Sequence, residues 1–70
     1  MTATINLQLN GREQACKSDL NMPELLLSLG LNPHLVAVEY NGEILHRQFW
    51  DETYLQAGDR LEIVTIVGGG

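Results

Sequence analysis

The chain has 70 residues, with four Lys and Arg against nine Asp and Glu, and a formal net charge of −5 at pH 7. A domain this small rarely holds both a core and a deep catalytic cleft, so the length favours a carrier, binding module or subunit over a free-standing enzyme. The shortage of cations disfavours nucleic acid and anionic membrane surfaces, both of which select for Lys and Arg, while an acidic module suits a basic protein surface.

Apolar residues at 44% and charged residues at 19% fit a folded domain and not a disordered one. The single cysteine, Cys16, has no disulfide partner, and neither His34 nor His46 is near it in sequence, so no metal site is expected. No apolar run approaches the ~20 residues of a membrane span. No basic-then-apolar signal segment opens the chain, and the expected location is the cytoplasm.

Residues Thr4 to Leu9 alternate, with Ile5, Leu7 and Leu9 on one face, which predicts a half-buried strand. Asn10-Gly11 then signals a two-residue hairpin. Its geometry places Arg12, Gln14 and Cys16 on the face of Leu9, so Cys16 is expected to be a buried, inert thiol. Asn21 and Glu24 have capping-box spacing, Pro23 suits a first helical turn, and Leu20 and Leu25 are placed as a staple. Met22, Leu25, Leu26 and Leu29 share one helical face, Gly30 ends the helix and Pro33 prevents its resumption.

Leu35 to Tyr40 reads as an inner strand, Asn41-Gly42 as a second hairpin turn, and Glu43 to Leu45 as a short return strand. Phe49-Trp50 opens an irregular or short helical connection carrying Tyr54 and Leu55, and Gly58-Asp59 is a turn. Arg60 to Val67 is the last strand, with Leu61, Ile63 and Thr65 on one face and Glu62, Val64 and Ile66 on the other. The order is hairpin, helix, hairpin, crossover, strand. It predicts an α+β β-grasp, or ubiquitin-like, domain over residues 1–67: a mixed sheet of four to five strands with one main helix on one face, the first and last strands parallel and adjacent.

The usual catalytic constellations are missing. His34 and His46 read as surface residues, and Asp51-Glu52 as a solvated or capping pair. The exception is the glycine run at residues 68–70. Gly68, Gly69 and Gly70 form either a frayed end or a working tail. The second reading has chemical merit, because a tail without side chains enters a narrow channel and presents an unhindered carboxylate. Three extended residues reach about 10 Å, enough to place the Gly70 carboxylate in a partner's active site.

Nearly the whole chain resembles the ThiS family of ubiquitin-like sulfur carriers, within the broader ThiS/MoaD β-grasp group. The resemblance is carried by the Asn10-Gly11 hairpin, Glu24-Leu25-Leu26, Leu31-Asn32-Pro33, and Val36-Ala37-Val38 running into Asn41-Gly42-Glu43-Ile44. Arg47 with Trp50, Gly58-Asp59-Arg60-Leu61-Glu62-Ile63-Val64 and the Gly69-Gly70 end complete it. His46 stands where many relatives have proline, and Cys16 where they often have valine.

The resemblance implies a protein co-substrate and not an enzyme. The Gly70 carboxylate would be adenylated by a ThiF-like adenylyltransferase and then become a thiocarboxylate, with sulfur from a persulfide enzyme. Thiazole synthase, ThiG-like, would take that sulfur for the thiazole ring of thiamine. No cofactor or metal is expected on this chain; ATP and Mg belong to the adenylating partner.

Alternation also leaves Val64 and Ile66 without a second layer to cover them, beside Glu62, and these three are the expected docking residues. Other readings are a molybdopterin synthase small subunit, a ubiquitin-like protein modifier, a non-covalent binding module, and a redox role for Cys16.

Overall fold

The computed structural model describes residues 3–66. Strands β1 (Thr4–Leu9) and β2 (Arg12–Lys17) form the first hairpin. Asn10 and Gly11 take φ of 50° and 84°, the positive values this turn requires. Leu9 pairs with Arg12, Leu7 with Gln14 and Ile5 with Cys16, the expected register.

Helix α1 (Met22–Ser28) starts on a complete capping box. The Glu24 N–H donates to Asn21 Oδ1 at 3.0 Å, and the Asn21 N–H donates to Glu24 Oε1 at 2.9 Å. It ends on a Schellman arrangement, in which the Gly30 N–H returns to the Leu27 carbonyl and the Leu31 N–H to that of Leu26.

A 3₁₀ turn (Pro33–Leu35) leads into β3 (Val36–Tyr40), which pairs with β4 (Glu43–Leu45). A longer 3₁₀ segment (Arg47–Glu52) crosses to β5 (Arg60–Thr65). The Asn32 side chain accepts the His34 N–H, and the Asn32 carbonyl accepts that of Leu35. These bonds hold Leu35 in the turn, so β3 begins one residue later than the apolar run suggests. The last strand likewise ends at Thr65, and its expected final residue, Val67, lies outside the described residues.

The sheet order is β2-β1-β5-β3-β4. β5 lies in the middle, parallel to β1 through Gln8–Arg60 and Leu9–Leu61 and antiparallel to β3. Met22, Leu25 and Leu26 of α1 sit in one buried cluster with Leu7, Val36, Val38, Trp50, Leu55, Leu61 and Ile63. Burying each large side chain is worth ~1.5–3 kcal/mol, and this cluster fixes which face of β5 points inward. One helix over one face of a five-stranded mixed sheet is the β-grasp arrangement.

Candidate functional site

The glycines expected to carry the chemistry, Gly68, Gly69 and Gly70, lie outside the described residues, so the site is described up to the end of β5. Leu61 and Ile63 point into the core at 1% and 8% exposure, while Val64 is 59% exposed and Glu62 is also exposed. Pairing adds neighbours that the strand alone could not reveal. Val64 lies opposite Ala37 and Glu62 opposite Glu39, and Glu39 in turn lies opposite Ile44.

Ala37, Val38, Glu39, Ile44, Glu62 and Val64 line a shallow groove of about 320 Å³ on the outer sheet face. Ile44 is the most exposed large apolar residue there, at 71%. Like charges set directly opposite across a strand pair repel, so Glu39 and Glu62 favour any surface that brings a cation between them.

Ile66 is exposed as expected but does not join that groove. It follows the last residue of β5, where its N–H donates to the Leu35 carbonyl at 2.7 Å. The structure therefore gathers Glu62 and Val64 with Ala37, Glu39 and Ile44, and leaves Ile66 beside Leu35 at the strand exit. Ile44 was within reach of sequence reasoning: the Asn41-Gly42 turn sets Tyr40 against Glu43, hence Glu39 against Ile44.

β5 is held from both sides by polar side chains. Asn10 Oδ1 accepts the Ile63 N–H at 2.7 Å, and the Asn10 amide donates to the Ile63 carbonyl at 3.2 Å. The side chain thus continues the ladder beyond Leu9–Leu61, where the β1 pairing stops. On the other flank the Tyr40 hydroxyl donates to Asp59 Oδ2 at 2.7 Å, and Asn41 Oδ1 accepts the Arg60 N–H at 2.8 Å. Burial, with the hydrogen bond to Asp59 and that residue's charge, pushes the Tyr40 hydroxyl up to about 12.

Cys16 faces the core side, but it is half-buried and not buried. β2 is an edge strand, and the thiol opens on a shallow pocket shared with Gln14, Leu20, Ser28 and Leu29. Burial still raises its pKa, which disfavours the reactive thiolate. His34, His46, Asp51 and Glu52 are exposed and dispersed. Among the described residues no group of three His, Cys, Asp or Glu could hold a metal ion.

A sequence model of the ThiS family matches residues 7–70. Over 65 residues the chain is 42% identical to the sulfur carrier protein ThiS of Bacillus subtilis, covering 91% of this chain and 98% of that one. It is 36% identical over 66 residues to a thiazole synthase of Paramagnetospirillum magneticum, a match that takes in 94% of this chain and 20% of that longer protein. The crystal structure of the thiamine biosynthesis protein ThiS from Geobacter metallireducens superposes with a TM-score of 0.81 at 38% identity, covering 94% of this chain and all of the other. Sequence match over nearly the full length and agreement in fold lead to one assignment: the chain belongs to the ThiS family.

Proposed function

We propose that this chain is the sulfur carrier for the thiazole ring of thiamine, with residues 1–67 as the folded carrier and residues 68–70 as its reacting tail. A carboxylate is a poor electrophile and is ionised at neutral pH. A ThiF-like adenylyltransferase would therefore activate the Gly70 carboxylate with ATP and Mg, making an acyl-adenylate and releasing pyrophosphate. The terminal sulfur of a persulfide-bearing enzyme would then displace AMP to give an acyl disulfide, and a second thiol would cleave its S–S bond, becoming a disulfide itself and leaving a thiocarboxylate for thiazole synthase. The chain contributes the reacting group and the docking face, in the cytoplasm.

The observation that carries this reading is the glycine run that begins three residues after β5, the strand whose outer face is left uncovered. The thiazole synthase containing a stretch similar to nearly all of this chain supports a meeting between carrier and synthase. No helix among the described residues is long and apolar enough to cross a membrane. Intact mass of the full chain from its own cells tests the proposal. The expected result is exchange of one oxygen for sulfur at the C-terminus, and its loss when Gly70 is deleted. An unshifted mass, together with no ATP turnover by the adenylyltransferase, would refute it.

A further inference from the structure

Arg47 is an exposed residue with unusually specific neighbours. Its guanidinium stands 5.1 Å from the centre of the Trp50 ring, and Nη2 donates to the His34 carbonyl at 3.3 Å and to the Val36 carbonyl at 3.5 Å. Trp50 is itself fixed, at 4% exposure, with Nε1 donating to the Leu45 carbonyl at 3.0 Å. The two carbonyls that Arg47 grips flank the Leu35 peptide in sequence. The Leu35 carbonyl is the one that accepts the Ile66 N–H at 2.7 Å. The links thus run from the core through Trp50 and Arg47 to the His34 and Val36 carbonyls, and from the Leu35 carbonyl between them to Ile66, two residues before Gly68.

We infer that Arg47 is a positioning residue for the tail: braced on Trp50, it fixes the Leu35 peptide, and Leu35 fixes the root from which the Gly70 carboxylate is aimed. The inference rests on the carrier reading above. A glycine tail threaded extended into a partner's channel has a fixed length, and from Ile66 its four residues span about 13–14 Å, so the position of the root sets how far into the channel the carboxylate reaches. Stability alone does not call for this brace. The ring of Trp50 is buried by the core, and of the two carbonyls released by Arg47 that of His34 is exposed and can turn to water.

Arg47→Met tests it, because it keeps the apolar stem and removes every donor. Arg47→Lys keeps a cation and fewer donors. Amide exchange is followed at Ile66 and at Ile63, whose N–H is held independently by Asn10. Steady-state adenylation is measured with the ThiF-like adenylyltransferase and ATP.

In Arg47→Met the Ile66 amide should exchange roughly tenfold faster while Ile63 is unchanged. kcat should fall roughly ten- to a hundredfold, as small misplacements of a reacting group do, with KM unchanged because the outer groove is intact. Arg47→Lys should recover part of both.

Equal acceleration at Ile63 and Ile66 would reduce Arg47 to a general stabiliser and overturn the inference. So would faster exchange at Ile66 with kcat unchanged. Failure of the wild-type chain to be adenylated would instead sink the carrier reading, and unchanged exchange at Ile66 would then still refute the brace.

Discussion

Val64→Asp and Ile63→Asp put the same carboxylate on adjacent residues of one strand, and the structure requires opposite outcomes. Val64 is 59% exposed, so less than half of the ~1.5–3 kcal/mol available from burying a valine is at stake. The poorer fit of Asp to a strand adds up to ~1 kcal/mol. Together these cost about 1–2 kcal/mol, a fall in Tm of roughly 5–15 °C for a domain of this size, and the protein stays folded. Ile63 is 8% exposed within the core cluster. Its replacement forfeits ~2–3 kcal/mol of burial and buries a carboxylate, for several kcal/mol more, which consumes most or all of a marginal stability of ~5 kcal/mol.

Binding separates the faces further. If the outer groove is the docking face, Val64→Asp removes an apolar anchor at a cost of ~2 kcal/mol or more, about a thirtyfold rise in Kd. Calorimetric titration against the adenylyltransferase and thiazole synthase, beside a melting curve, measures both quantities. Ile44→Asp on β4 should share the loss of affinity, since Ile44 lines the same groove. Unchanged affinity for both partners would place docking elsewhere. A melting transition that collapses in Val64→Asp would show that the residue is packed and not presented.

Two further outcomes follow from single side chains. Cys16→Ser should retain sulfur transfer and lose about 1 kcal/mol in a denaturant titration, because a half-buried hydroxyl needs a partner that a thiol does not; complete loss of transfer in a well-folded variant would revive a redox role. Tyr40 keeps its proton to about 12 in the folded chain against about 10 in the unfolded one, so its contribution is complete below pH 10 and is lost as the pH rises through about 12. Tyr40→Phe should flatten that alkaline decline in a pH series of denaturant midpoints, and an unchanged slope would show that Tyr40 does not cause it.

The elements were legible wherever local chemistry settles the backbone. Asn10-Gly11 and Asn41-Gly42 admit the positive φ of tight turns, and all four residues adopt it. Asn21 and Glu24 satisfy one another at the helix start, and parity along β5 separates Ile63 from Val64. What escaped depends on partners distant in sequence. Asn10 reads as turn chemistry, yet its amide grips Ile63, 53 residues further on. Parity placed Cys16 on the core side but could not say how far a short helix covers an edge strand. Ile44 is one apolar residue in a three-residue strand until β3 sets it beside Glu62 and Val64. Arg47 and Trp50 stand out in the sequence only as part of the family resemblance, and the carbonyls that Arg47 grips lie 11 and 13 residues back.

The position of β5 explains why a carrier would grow its tail from this strand and not from β2 or β4. An edge strand is held on one side only and frays from its end, whereas β5 is paired to β1 and β3 and tied by Asn10 on one flank and Tyr40 with Asp59 on the other. The tail needs a firm root because its own residues supply no specificity. Fixing a residue's backbone costs ~1–2 kcal/mol, and glycine has the most freedom to lose, so threading three of them costs several kcal/mol. Contacts made elsewhere on the carrier must offset that cost. In the proposed carrier, an apolar groove bordered by Glu39 and Glu62 lies on the strand that leads into the tail. Affinity would then come from the sheet face and reactivity from the carboxylate, with β5 holding the two in register.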